Sequence, residues 1–325
     1  MKLAESLNNT RYEVLLIDKV NHHQFQPLFY QVATAGLEPS SISFPFRWIF
    51  HHSKNVRIRY AEVQQIIAAE NKIITDIGEF NYDHLVLATG ATTNFFGNQN
   101  LERWAYPMKS TSEAITLRQH VLQNFEQALI NSEAEQEALM NFVIVGGGPT
   151  GVELSGAFAE MRRHVFPKDY PELDFSKMKI IMVEGSPKTL GNFSEKSSMK
   201  SRQYLEELGV QVMTNTQVKD YDGDKVLLGD GSFIRSNTVV WTAGIKGNLI
   251  EGVNKESVVR GNRLKVDRSS RVEKHRNIYA IGDIAYMVTG KYPTGHPQVA
   301  NVAIGQAKVL GKNFNNLLSC QIVRG

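Results

Sequence analysis

Short apolar runs, each ending on a glycine turn or an acidic residue, set the pattern of this chain. Phe142 to Val145 are four apolar residues in a row, as a strand buried on both faces requires. Gly146-Gly147-Gly148-Pro149-Thr150-Gly151 follows, and Val152 to Met161 then mix small, apolar and helix-forming residues. The pattern predicts strand, glycine turn and helix in that order. Lys179 to Val183 predicts another strand, ending on Glu184, and Tyr12 to Ile17 predicts one ending on Asp18. Lys2 to Leu7 reads as the end of a helix ahead of that strand. Ile278 to Ile281 predicts a strand that stops at Gly282-Asp283. From Pro297 to Phe314 the pattern is helical, with the proline near the N-terminus where proline is favoured. The stretch 162–179, with two prolines and many charges, predicts an inserted loop.

Two of these blocks repeat one plan. "GEFNYDHLVLATGA" (78–91) and "GDGSFIRSNTVVWTAGI" (229–245) each read as turn, short strand, polar pair, apolar strand, then Ala-Thr-Gly or Thr-Ala-Gly. Each follows an acid-ended strand, and each is preceded by a short β pattern. The expected fold is α/β, with two Rossmann-like dinucleotide-binding domains that each carry a β-meander. The expected boundaries are 1–110 and 263–325 for one domain and 111–262 for the other, inserted into it. The first copy is expected to lack its opening strand and glycine turn, which would leave unpaired strand edges.

The chemistry explains the glycine spacing. Gly146 permits the tight turn, Gly148 lets backbone approach a pyrophosphate, and Gly151 lets the helix pack on the strand. Gly147, Pro149 and Thr150 complete the cradle, and the phosphates sit at the positive helix end. Glu184 suits the hydroxyls of an adenosine ribose, although it lies beyond the usual distance of about 20 residues. No arginine directly follows it, which favours NADH over NADPH; Lys188 is the nearby cation that bears on this choice.

Composition narrows the classes. The chain has 325 residues, 42% hydrophobic, with formal net charge +3. That permits a sizeable core and two domains, and is too weakly basic to argue for nucleic acid. The single cysteine, Cys320, excludes an intrachain disulfide and a redox Cys-x-x-Cys pair. No apolar run approaches the roughly 18–20 residues that span a bilayer, and no signal peptide is evident. His22-His23 and His51-His52 lack metal-ligand spacing, so no metal is expected. Ser155 does not sit in a nucleophile elbow.

The order of NAD motif, Ala-Thr-Gly and terminal Gly-Asp resembles the flavoproteins with two dinucleotide domains. "NHHQFQPLFYQVATAGLEPSSISFPFRWIF", "LATGATTNFFG" and "GGGPTGVELSGAFAE" resemble the type II, non-proton-pumping NADH:quinone oxidoreductases. The resemblance implies FAD in the first domain, NADH in the second, and a membrane quinone as acceptor. It implies FAD contacts from Asp18, Val63, Ala88, Thr89, Gly90, Gly282, Asp283, Gln298, Val299 and Ala300. For NADH it implies Gly146 to Gly151, Glu153, Glu184, Ala243 and Gly244, with Glu153 as a proton relay. Ala300, Asn301, Ala303 and Gln306 are implied on the quinone side, although Asn301 and Gly305 depart from the family's pattern there.

By the same comparison, Met1 falls just after where the first domain's third glycine should stand. The family's membrane-lying C-terminal segment is expected to be absent as well. Peripheral attachment to the inner face of the cytoplasmic membrane is a family expectation, and a homodimer is expected as well; this chain by itself could be soluble. Two other readings stay open: a soluble FAD-dependent reductase serving a ferredoxin-type partner, and a non-catalytic NADH-binding polypeptide unable to hold FAD.

Overall fold

The computed structural model describes residues 1–8 and 10–317; Cys320 lies outside the described residues. Two compact units alternate along the chain. One comprises Met1–His23, Phe44–Thr92 and Ile245–Gly325, and the other comprises Gln24–Ser43 and Thr93–Gly244.

The second unit holds a five-stranded parallel sheet. Its order is Tyr106–Pro107, Thr238–Trp241, Phe142–Val145, Ile180–Val183, Gln211–Met213. Phe142–Val145 and Ile180–Val183 are buried along their whole length, as unbroken apolar runs in a covered parallel sheet must be. Helices Thr111–Ala128 and Pro149–His164 supply Leu117, Phe125, Leu154 and Phe158 to the core against the sheet. Phe29, Val32 and Ile42 join the same core, so residues 24–43 pack with this unit. An antiparallel meander, Val218–Tyr221, Lys225–Leu228 and Phe233–Arg235, closes it.

The stretch 162–179 departs from its predicted loop. The helix runs on to His164, and Phe166–Asp169 forms a further short helix. The reason is apolar content hidden among the charges. Phe166 and Phe175 pack edge-on against Phe125 at 4.7 and 5.3 Å between centroids, with Tyr170 beside them at 5.4 Å.

The first unit repeats this plan with its sheet in two halves. Val14–Asp18 pairs in parallel with Val56–Tyr60, and Leu85–Leu87 pairs in parallel with Ile278–Ala280. In the second unit, Phe142–Val145 bridges the two equivalent pairs. Among the described residues of the first unit, no strand fills that place. The difference shows in burial: Val14–Asp18 is only partly covered, with Leu15 37% exposed. A meander of Val63–Ile67, Lys72–Thr75 and Gly78–Asn81 precedes Leu85–Leu87, as the repeat predicts. The C-terminal helix, Ala300–Leu317, packs Leu310 and Phe314 onto Tyr279 and Ile281.

Candidate active site

Each glycine of the turn after Phe142–Val145 has its own steric reason. Gly146 adopts φ +109°, and a Cβ there would lie 2.7 Å from the Ala243 nitrogen. At Gly151 a Cβ would collide with the Gly146 carbonyl oxygen. Thr242 clamps this crossing, its hydroxyl lying 2.9 Å from the Val145 oxygen and 3.1 Å from that of Gly146. Gly148 is different: nothing lies within 4 Å of a Cβ built on it. It is also the N-cap of Pro149–His164, which has proline in its first turn and no side-chain cap. The first-turn N–H groups at this open face can therefore serve an anion. These residues fit a dinucleotide pyrophosphate.

Glu184 locks onto the turn. One carboxylate oxygen accepts the Gly147 N–H at 2.5 Å, and the other accepts the Ser186 N–H at 2.6 Å. A carboxylate offers about four acceptor positions, so capacity remains for sugar hydroxyls. Lys188 is paired with Glu195 at 2.6 Å, which engages the one cation that bore on phosphate preference. Ala243 abuts Gly146, and the Gly244 carbonyl accepts the Asn94 N–H at 3.0 Å.

Glu153 stands in the second turn of Pro149–His164, on its exposed side. Desolvation nonetheless holds its carboxyl above the usual carboxylate range, an effect that the open side of the residue tempers. Ser155, two residues on, is fully buried and has no hydrogen-bond partner for its hydroxyl.

In the first unit, Asp18 caps its own turn. One oxygen accepts the Val20 and Asn21 N–H groups, both at 2.7 Å, leaving the second oxygen for a ligand. Val63 opens a strand with a register shift between it and Gln65. In the Ala88-Thr89-Gly90 turn, the Thr89 hydroxyl donates to the Asn248 carbonyl at 2.6 Å, and the Asn248 amide returns a bond to the Thr89 carbonyl at 3.1 Å. Gly90 takes φ +68°.

At the other end of this unit, Gly282 takes φ +74° and donates its N–H to Gln306 at 2.8 Å. The Asp283 carbonyl accepts from the Gln298 amide at 3.0 Å. The helix begins at Ala300, three residues after its predicted start, because Gln298 and Val299 form the turn that reaches Asp283. Ala300 and Asn301 are exposed, Ala303 is partly buried, and Gln306 is 7% exposed with its amide nitrogen unpaired. In this arrangement Gln306 serves the Gly282 backbone, while Asn301 faces outward.

The residues at both ends of this unit fit FAD in part. Asp18 suits a ribose, and the Gly282-Asp283 turn suits a polar chain. Thr242, Ser186 and Asn248 were not singled out by the sequence. Only the repeated Thr-Ala-Gly block pointed toward the first of them. Among the described residues no cluster of His, Cys, Asp and Glu could hold a metal ion, and no helix is long and apolar enough to cross a membrane.

Residues 1–307 match the Pyridine nucleotide-disulphide oxidoreductase family. The chain is 30% identical to the type II NADH:quinone oxidoreductase Ndh of Mycobacterium tuberculosis, over 97% of this chain and 69% of that protein. It is 28% identical to the type II NADH:quinone oxidoreductase of Staphylococcus saprophyticus, over 98% of this chain and 79% of that one. The fold matches the solved structure of NDH2 from Plasmodium falciparum in complex with NADH, with TM-score 0.89 at 20% identity. That match covers 97% of this chain and 80% of the other. With a family match over most of its length and relatives of this kind across nearly all of it, the chain belongs to the pyridine nucleotide-disulphide oxidoreductases and, among them, to the type II NADH:quinone oxidoreductases.

Proposed function

We propose that the protein oxidises NADH and delivers two electrons through FAD to a membrane quinone. The observation that carries this reading is the turn at Gly146–Gly151, open at Gly148 and tied to the Glu184 carboxylate at 2.5 Å. When bound, NADH supplies a hydride and FAD supplies the two-electron relay to quinone.

The chain's own residues bind and orient. Gly148 and the first-turn groups of Thr150 and Gly151 cradle the NADH pyrophosphate, with Gly147 tying Glu184 to the turn and Pro149 setting the helix start. Glu184 takes the adenosine ribose, and Ala243 and Gly244 lie beside the Gly146 turn. Asp18 takes the FAD ribose, Val63 offers backbone to the adenine, and Ala88, Thr89 and Gly90 line the flavin turn. Gly282, Asp283, Gln298, Val299 and Ala300 hold the rest of FAD, and Ala300, Asn301 and Ala303 face the quinone side, with Gln306 behind them on the Gly282 N–H. The two-domain plan, with an FAD part split around an NADH part, belongs to the same proposal. So do peripheral attachment at the inner face of the cytoplasmic membrane and a homodimer. Kinship and the bilayer location of quinones support the attachment.

The visible spectrum of the purified chain tests this. Bound oxidised flavin that NADH bleaches and a quinone restores supports it. Flavin restored only by a ferredoxin-type acceptor points to the soluble reductase, and a colourless protein that binds NADH points to a binding polypeptide.

Two substitutions sharpen the assignment. Glu184→Gln presents an amide N–H where the Gly147 or Ser186 N–H now donates. Losing that bond and the ribose contacts is expected to weaken NADH binding by roughly 10–100-fold, from about 1.5–3 kcal/mol per charged hydrogen bond. Titration by nucleotide fluorescence checks it. Glu153→Gln is expected to flatten the pH dependence of turnover. Burial raises the Glu153 carboxyl, so it keeps its proton to higher pH than an ordinary glutamate and the activity limb lies on that side. A turnover profile identical to the parent at every pH removes Glu153 from the proton path.

A further inference from the structure

A basic pocket in the first unit lies outside every residue assigned above. It has a volume of about 320 Å³ and is lined by Arg47, His51, Arg57 and Arg59, over an apolar floor that includes Phe50 and Ile58. No acidic residue lines it. The strand Val56–Tyr60 and the short helix Phe46–Ile49 form its walls, and Phe46, Phe50 and Ile58 share a small buried cluster that fixes the helix against the strand.

The charge arrangement is unusual. Arg57 is committed to Glu13 at 2.7 Å. Arg47 and Arg59 are not: both guanidinium groups turn to one carbonyl, that of Ile58, at 3.4 and 3.0 Å. Neither makes an ion pair among the described residues. Two like charges held to one oxygen repel each other unless an anion sits between them. The Ile58 oxygen satisfies only a fraction of the five N–H donors on each group. His51 adds to this side. Its Nδ1 lies 2.6 Å from the Trp48 carbonyl, which makes Nδ1 the donor and leaves Nε2 free. Trp48 is 66% exposed and stacks beside His51 at 6.5 Å, placing a reporter at the rim.

We infer that the Arg47–Arg59–His51 pocket is a binding site for a phosphate group, held by the two arginine forks. Paired guanidiniums match phosphate oxygens bidentately, which a lysine pair does not. The space exceeds a bare phosphate, so a phosphomonoester or a lipid headgroup phosphate also fits. None of the residues proposed for NADH, FAD or quinone lines the pocket, so the inference stands apart from the function proposed above.

The test uses the full chain with two probes. One is inorganic phosphate, followed by Trp48 fluorescence and calorimetry. The other is phosphatidylcholine vesicles with and without phosphatidic acid, followed by co-sedimentation. The expected result is saturable binding of at least one probe, reduced roughly tenfold or more in Arg47→Gln/Arg59→Gln. Arg57→Gln, whose charge is already met by Glu13, is expected to change it by less than about threefold. Phosphate binding alone identifies a free anion as the source; vesicle binding that free phosphate does not compete for identifies the lipid. A melt matching the parent shows that the double variant is folded. Equal binding by the parent and that folded variant, or no binding of either probe by the parent, overturns the inference.

Discussion

Gly148→Val is expected to bind NADH about a hundredfold more weakly than the parent while keeping its stability to within about 1 kcal/mol. The two effects separate because the position is open on the protein side. A Cβ at Gly148 meets nothing within 4 Å, and φ −74°, ψ −178° is backbone that valine adopts freely. The open space lies at the uncapped start of Pro149–His164, where the pyrophosphate in the proposed NADH site would come close to the backbone. Filling it with the valine side chain removes one or two contacts, about 3 kcal/mol in all, which is roughly a hundredfold in affinity. Gly151→Ala is the control with the opposite outcome. Its Cβ would strike the Gly146 carbonyl, so the helix must lift from the strand at a cost of about 3 kcal/mol or more. Equilibrium urea unfolding and NADH titration on both variants check the pair. Undiminished NADH binding by Gly148→Val would remove this turn from the nucleotide site.

The contrast between these glycines shows what the sequence could carry. Strand, glycine turn and helix at 142–161 were legible because each local signal agreed with the others: an apolar run, glycines at fixed spacing, then helix formers. Glu184 was legible as the acid after the next strand, but its bond to the Gly147 N–H was not, since that depends on how two turns meet. The repeat made the split sheet of the first unit foreseeable. Val14–Asp18 and Leu85–Leu87 stand where strands flanking a central one stand in the second unit. Other features were hidden by composition. The stretch 162–179 looked like a solvated loop because charges outnumber the aromatics that bury Phe125. Residues 24–43 carried no periodicity long enough to show that they pack with the second unit. Gln306 drew notice for its helix position, yet its partner is a backbone N–H 24 residues away, which no local pattern reports. Arg263 gave no signal at all, being one charge in a strand.

That arginine carries the last large effect: Arg263→Met is expected to destabilise the first unit by about 3 kcal/mol. Arg263 is 8% exposed, a position charged side chains occupy only when held. Its guanidinium donates to the carbonyls of Ala285 and His296, the latter at 2.9 Å, and lies 5.2 Å from the centre of the Tyr286 ring. It thereby ties both ends of the segment that runs from the Ala285–Met287 strand to the start of the C-terminal helix. Burial lowers its pKa, and the nearby Asp283 charge counters that, so the group stays charged throughout the working pH range. Methionine keeps much of the volume and removes the donors, leaving a fully buried carbonyl at Ala285 without its partner. Arg263→Lys keeps the charge, but its ammonium must reach both carbonyls that the single Nη2 now serves, and an intermediate loss is expected. A fall in the urea midpoint with unchanged slope reads the effect as stability. Because Gln298 and the Gly282-Asp283 turn adjoin the tied segment, flavin retention is expected to fall in the same order: parent, lysine, methionine. A methionine variant as stable as the parent would show that the two carbonyls find other donors and that the guanidinium holds nothing.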